Sequence, residues 1–278
     1  METTIEIRPG RFVALETYKS DIADCPTVFL IHGLGGRGDQ WHEQVKVLKD
    51  QYRLVIPHLL GHGNSEKPKP TYSNPYSFYE LDQDMEALFN LYKGTRNIVI
   101  GHSYGGVLAT SLAKNYQHSV ERLVLFNPAP CVSQRKIPFV YRLPVFILEA
   151  LRSLLDRVFQ KMAFDESTAA DLLEKESLAG KNNKMYVIKA MIQGMKTIRT
   201  MDLTKLSVPT CIIFGESDKI FPENVIKEGY QGLPHHTFKT IRHASHMAFL
   251  EKPEEVNECL LEFLKQPSAV GSKKLKIV

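Results

Sequence analysis

Residues 97–106 read Asn-Ile-Val-Ile-Gly-His-Ser-Tyr-Gly-Gly, and no other stretch constrains the fold as strongly. Residues 98–100 form an apolar run suited to a buried strand. Gly101-His102-Ser103-Tyr104-Gly105 then fits a G-x-S-x-G pattern, and 107–114 consists of good helix formers. Strand, sharp turn and helix in that order force Ser103 into strained backbone angles, and the flanking glycines give the crowded backbones room. The hydroxyl is thereby held out at the carboxyl end of a strand. It sits above a helix start whose free N–H groups and partial positive charge favour a developing oxyanion. A Gly-rich turn with an incidental serine would read the same in isolation, so the case for a nucleophilic Ser103 rests on its setting and its partners.

The setting is an alternation of strands and helices. Residues 27–31, 53–56, 98–100, 123–126 and 210–214 are short apolar runs without a two-residue alternation, the pattern of parallel strands covered on both faces. Helical patterns lie between and after them at 40–49, 79–92, 107–116, 220–229 and 254–264. A mostly parallel sheet with crossover helices follows. An antiparallel pair opens the chain, with Ile5 and Ile7 on one arm, Phe12 and Ala14 on the other, and Pro9-Gly10 as the turn. Residues 131–206 break the alternation: 145–162, 167–177 and 184–200 read as helices, the first with a stripe of Leu148, Leu151, Leu154, Leu155, Val158, Phe159 and Met162. The chain therefore divides into a core at 1–130, a helical cap at 131–206, the rest of the core at 207–265, and a flexible tail at 266–278.

Composition narrows the class further. A hydrophobic fraction of 43%, a charged fraction of 24% and a net charge of +4 are those of an ordinary globular protein. Apart from Lys273, Lys274 and Lys276 there is no dense basic run, so nucleic acid is not an expected partner. The four cysteines are scattered with no C-x-x-C spacing, which argues against a zinc site or a disulfide framework. No apolar signal core opens the sequence and no apolar run reaches membrane-spanning length, so a cytoplasmic location is expected.

Four further motifs supply partners for Ser103. His32-Gly33-Leu34-Gly35-Gly36 follows the first buried strand. Its Leu34 N–H, together with the N–H of Tyr104, would aim two donors at one point, each worth about 3–4 kcal/mol to an oxyanion. Gly215-Glu216-Ser217-Asp218 follows the 210–214 strand and offers Asp218 as the acid, with Glu216 as the alternative. Arg242-His243-Ala244-Ser245-His246-Met247 precedes the last helix and offers His246 as the base, with His243 as the alternative. The order Ser103, Asp218, His246 is serine, acid, histidine. Gly61-His62-Gly63-Asn64-Ser65 lacks a strand-turn-helix setting, so Ser65 belongs to a loop that shapes the crevice.

With these motifs in order, the whole chain resembles the α/β-hydrolase superfamily. His-Ser-Tyr-Gly, the segment 187–195 and Ala-Ser-His-Met followed by Leu-Glu-Lys-Pro-Glu-Glu-Val-Asn are similar to the abhydrolase-domain-containing protein 8 group. The resemblance implies an α/β-hydrolase fold and a serine hydrolase cleaving carboxylic or lipid esters, with Ser103, Asp218 and His246 catalytic. It calls for no cofactor and no metal. The chain departs from the family at Pro57-His58, where many relatives carry an aspartate; an effect on loop packing rather than chemistry is expected. It also departs at Asn127, where some relatives place the acid.

Other readings fit parts of the sequence. Gly33-Leu34-Gly35-Gly36-Arg37-Gly38 matches the G-x-G-x-x-G of dinucleotide sites, but the next strand ends in Ile56-Pro57-His58-Leu59 with no acid for a ribose. Carbon–carbon bond hydrolases and perhydrolases share the same three residues, and a non-catalytic receptor or scaffold could retain them. Residues 137–147 hold eight large apolar side chains and two prolines. They read either as buried cap packing or as a broken, mobile lid over an acyl pocket. On the second reading His32, His102, Phe139, Phe146 and Met247 wall the pocket, and the lid and lysine tail add weak attraction to an anionic membrane.

Overall fold

The computed structural model describes residues 2–131 and 137–267. Glu2–Arg8 (β1) and Arg11–Tyr18 (β2) pair antiparallel around a turn at Gly10, whose φ of +70° suits glycine. Thr27–Ile31 (β3), His42–Leu48 (α1), Arg53–Pro57 (β4), Phe78–Tyr92 (α2), Asn97–His102 (β5), Tyr104–Asn115 (α3) and Val120–Phe126 (β6) follow. After β6 come Val145–Ala150 (α4), Arg152–Ala163 (α5), Ala170–Gly180 (α6) and Met185–Gly194 (α7). Thr210–Gly215 (β7), Glu223–Tyr230 (α8), His236–Ile241 (β8), Ala248–Glu251 (α9) and Pro253–Lys265 (α10) complete the elements. The eight strands form one sheet in the order β1-β2-β4-β3-β5-β6-β7-β8. Pairings from β4 to β8 are parallel, and those of β2 are antiparallel. This is the expected mostly parallel sheet flanked by helices.

The continuous apolar runs have the burial their pattern demands: β3, β5 and β7 are buried at every position. Two hydrophobic cores result, one on each face. One packs β-sheet residues such as Phe29, Val99 and Leu125 against α2 and α3. The other packs Leu30, Ile100 and Phe126 against α1, α9 and α10. In the second core Trp41, fully buried, stacks on Phe249 with centroids 4.9 Å apart, and Phe249 in turn lies 4.7 Å from the His102 ring. That stack supports the carboxyl end of β5, and removing the Phe249 ring would cost about 3–5 kcal/mol.

The insertion between β6 and β7 differs in detail from its pattern. The helix expected over 145–162 breaks at Leu151, because α4 packs on α7 through fully buried Leu148 while α5 turns to meet α6. One straight helix could not reach both. Leu154, Val158 and Met162 of the expected apolar stripe are consequently exposed. Of the tail expected at 266–278, residues 268–278 lie outside the described residues, and with them Lys273, Lys274 and Lys276. Among the described residues no helix is long and apolar enough to cross a membrane.

Candidate active site

β5 ends at His102 and α3 begins at Tyr104, so the whole change of direction falls on Ser103, with φ +53° and ψ −118°. Few residues with a side chain adopt such angles, and they persist only where the surroundings enforce them. The enforcement is visible at two glycines. A Cβ on Gly101 would lie 2.4 Å from the Gly105 carbonyl oxygen, and one on Gly105 would lie 2.2 Å from that of Ile31. The turn closes only because both lack one.

Ser103 Oγ lies 2.9 Å from His246 Nε2, and His246 Nδ1 lies 2.8 Å from Asp218 Oδ2. Three separate loops, after β5, β7 and β8, meet here at the carboxyl end of the sheet. Asp218 is well anchored. Its Oδ1 accepts from the backbone N–H groups of Ile220 and Phe221 at 2.8 and 2.9 Å. Its Oδ2 also accepts from Asn127 Nδ2 at 2.9 Å. Burial alone would raise this carboxyl, but His246, Phe221 N–H and Asn127 together outweigh it and hold the group below its ordinary range. The alternatives fall away: Glu216 and His243 are both exposed and take no part in this chain of hydrogen bonds.

The Gly33–Arg37 loop faces Ser103 from the end of β3, and buried histidines fix its course. His32 Nδ1 donates to the Gly33 carbonyl at 2.7 Å while its Nε2 accepts from Leu59 N–H at 3.0 Å. His62 Nε2 accepts from Gly35 N–H at 2.9 Å. Both rings are thus used as neutral imidazoles, one nitrogen donating and one accepting. Burial agrees, pushing His32 well below its ordinary value and His62 down to about 4. His102, pushed down to about 3 by burial and then by His246, lies with its Nε2 3.0 Å from the His246 carbonyl oxygen. Among the described residues the Leu34 and Tyr104 N–H groups donate to no protein acceptor.

A cavity of about 650 Å³ opens onto Ser103 and His246. Leu155, Phe159, Ile188, Ile192 and Met195 from the insertion wall it, as do Ile220, Phe221 and Val225 from the segment after β7. Its polar side is a set of ties between insertion and loop. Arg37 holds Glu176 of α6 with two bonds of 3.0 and 2.7 Å, Gln40 adds a third at 2.8 Å, and Asn183 Nδ2 donates to the Gly35 carbonyl at 2.8 Å. Behind His246, Glu251 accepts from the N–H groups of Ser245 and Asp165 and from the Thr168 hydroxyl.

The expected pocket residues divide. His102 and Met247 line the cavity. His32 does not: it is fully buried behind the loop it supports. Phe139 and Phe146 also do not, because their rings point outward and are 72% and 73% exposed. Tyr141, Ile137 and Pro138 of the same stretch face the cavity instead. Sequence reasoning marked Asn127 only as a departure and missed its bond to Asp218, and it missed the roles of His62, Arg37, Glu176 and Glu251. Asn127 carried a signal in its place at the end of β6, beside the acid's strand. Glu176 carried none, because only the tertiary fold brings it to Arg37.

A strained serine between β5 and α3, on a mostly parallel eight-stranded sheet with its crevice at the strands' carboxyl ends, defines a class. The chain belongs to the α/β hydrolase fold family, whose model matches residues 26–253. It is 33% identical to Protein ABHD8 of Homo sapiens over 268 residues, covering 92% of this chain and 60% of that protein. The chain thus spans about 60% of the length of these curated relatives. It is also 24% identical over 254 residues to a pimeloyl-[acyl-carrier protein] methyl ester esterase of Vibrio atlanticus, covering 87% of this chain and 95% of that one. Among solved structures it superposes on an esterase of Exiguobacterium antarcticum with a TM-score of 0.82, at 20% identity over 95% of this chain and 100% of that chain.

Proposed function

We propose that this chain is a serine hydrolase of carboxylic esters, with lipid esters as a natural class. One observation carries the reading: the unbroken line of hydrogen bonds from Ser103 Oγ through His246 to Asp218, at 2.9 and 2.8 Å. His246 Nε2 takes the Ser103 proton as Oγ attacks the ester carbonyl, giving a tetrahedral intermediate whose oxyanion is received by the Leu34 and Tyr104 N–H groups. Asp218 keeps the imidazole proton on Nδ1 and stabilises the imidazolium. The imidazolium returns the proton to the leaving alkoxide, an acyl-serine remains, and water repeats the sequence with His246 again as base. A relative named as a methyl ester esterase supports the ester as substrate.

The helices of 131–206 act as a cap, and their apolar side chains suit the acyl part of the ester. A cytoplasmic setting accords with four cysteines that are all free thiols. The test is reaction of the purified chain with a fluorophosphonate probe, followed by peptide mapping. Labelling confined to Ser103 is expected, together with turnover of p-nitrophenyl esters. A folded chain that stays unlabelled would overturn the reading in favour of a non-catalytic scaffold.

A further inference from the structure

We propose that Glu2, Glu16 and His58 form a site for one divalent d-block cation, Zn²⁺ foremost, at the antiparallel edge of the sheet and outside the crevice. The argument begins with strand register. Glu2 on β1 is the direct cross-strand partner of Glu16 on β2. Two carboxylates placed opposite each other destabilise a sheet unless a positive charge lies between them. Among the described residues neither is paired with a lysine or arginine. Glu16 is in turn the partner of Ile56 on β4, and the chain leaves β4 at Pro57, so His58 arrives beside the two carboxylates.

The distances are those of a coordination site rather than of hydrogen bonds. His58 Nε2 lies 3.5 Å from Glu2 Oε2 and 3.7 Å from Glu16 Oε1. Both exceed the ~2.7–3.2 Å of a hydrogen bond. Donors about 2.0–2.1 Å from a tetrahedral Zn²⁺, however, stand about 3.4 Å apart. The imidazole, with its side chain only 6% exposed, has no hydrogen-bond partner on Nε2. A buried ring nitrogen that makes no hydrogen bond is costly, and here it meets two carboxylate oxygens only at ion-pair range, across a gap of one ion's width.

The surroundings are arranged around the same point. The far oxygen of each carboxylate is already oriented: Glu2 Oε1 accepts from Asn64 Nδ2 at 2.7 Å, and Glu16 Oε2 accepts from the Tyr18 hydroxyl at 3.2 Å. Such partners fix metal-binding carboxylates elsewhere. Gly38 keeps the space open, since a Cβ there would lie 2.7 Å from His58 Nε2 and 3.1 Å from Glu16 Oε1. One imidazole and two carboxylates suit Zn²⁺, Co²⁺ or Ni²⁺ better than Ca²⁺ or Mg²⁺, which favour all-oxygen shells. A bound cation would staple β1, β2 and the exit of β4 together, with a water completing its shell. Its role is structural, since none of these residues borders the cavity at Ser103.

The test uses the full chain without an affinity tag, stripped with chelator and titrated with ZnCl₂ by calorimetry and with CoCl₂ by visible absorption. Expected are one Zn²⁺ per chain at micromolar or tighter affinity and the d–d bands of four-coordinate Co²⁺ without thiolate charge transfer. A Zn²⁺-dependent rise in Tm should accompany binding. Glu16→Gln keeps the shape and the Tyr18 contact, and Gly38→Ala retains all three ligand side chains while crowding His58 Nε2 out of the gap. Each should weaken binding at least tenfold, while Glu6→Gln on the same hairpin leaves it unchanged. Absence of saturable binding by the intact chain overturns the proposal, and so does Zn²⁺ affinity that both variants retain.

Discussion

Asp218→Asn should disable the site by reversing a tautomer, and the hydrogen bonds around the residue say why. The backbone N–H groups of Ile220 and Phe221 require an acceptor where Oδ1 now stands, at 2.8 and 2.9 Å. The carboxamide oxygen must therefore take that place. Its NH₂ then faces Asn127 Nδ2 and His246 Nδ1, which approach Oδ2 at 2.9 and 2.8 Å. Asn127 can answer by turning its amide only by giving up its 3.1 Å hydrogen bond to the Ser245 carbonyl. The imidazole can answer only by moving its proton to Nε2. That proton then points at Ser103 Oγ, 2.9 Å away, and the ring can no longer accept from it. A tautomer reversal of this kind costs about 10⁴-fold in kcat, roughly 5.5 kcal/mol of transition-state stabilisation. Stopped-flow hydrolysis of p-nitrophenyl butyrate and the rate of fluorophosphonate labelling should fall together, with Tm within a few degrees of the parent. Exposed Glu216, changed to Gln, serves as control and should stay within about twofold. If Asp218→Asn keeps more than a tenth of the parental rate by both measures, Asp218 does not hold the tautomer and the assignment fails.

Ser103→Ala and His246→Ala should each lower kcat by about 10⁴–10⁶, and the double variant should be little worse; additive losses would mean that the two do not act as a unit. Ile188→Trp, which narrows the cavity, should lower kcat/KM for octanoate esters at least about tenfold and for acetate esters much less. Phe146→Ala should change neither, because its ring faces outward; equal effects of Ile188→Trp on both esters would remove the acyl pocket. Burial pushes the Asp82 carboxyl up to about 6, against a smaller opposing effect from its Ser111 hydrogen bond. A carboxyl that binds its proton more tightly folded than unfolded destabilises the fold once the proton is lost, so the penalty is absent below about pH 4 and complete above about pH 7. Asp82→Asn should therefore stabilise by about 2–3 kcal/mol at pH 8 and little at pH 4; a larger gain in Tm at pH 4 would refute the sign.

The central strands were legible because burial on both faces leaves an unbroken apolar run, as in Thr27–Ile31 and Thr210–Gly215. β8 was not, because it is a polar edge strand: His236–Ile241 alternates weakly and has only Ile241 buried. Ser103, Asp218 and His246 could be marked because each lies in a short local pattern after a strand, and the fold brings all three within hydrogen-bonding reach. The cavity walls could not. Apolar content at 137–147 is the same whether a ring faces inward or outward, and only the packed fold puts Tyr141 on the cavity and leaves Phe139 and Phe146 exposed. The histidine supports escaped for a related reason: His32 and His62 stand in glycine-rich motifs, where nothing local tells a ring that touches substrate from one that holds up the loop beneath it.

Glu176 grips the segment that carries Leu34, while Glu251 joins Asp165 and Thr168 to the peptide beside His246. The insertion and the loops around Ser103 and His246 are therefore one linkage, clamped at two points. A guest that lifts α6 must either break a buried bidentate ion pair or drag Gly33–Arg37 along with it. In the second case the bulk of the guest is registered as displacement of the Leu34 amide, like the needle of a gauge. On the proposed mechanism, an ill-fitting ester would still be held by the apolar walls but would lose an aligned donor when its carbonyl becomes tetrahedral. Discrimination of that kind falls on kcat and leaves KM nearly unmoved.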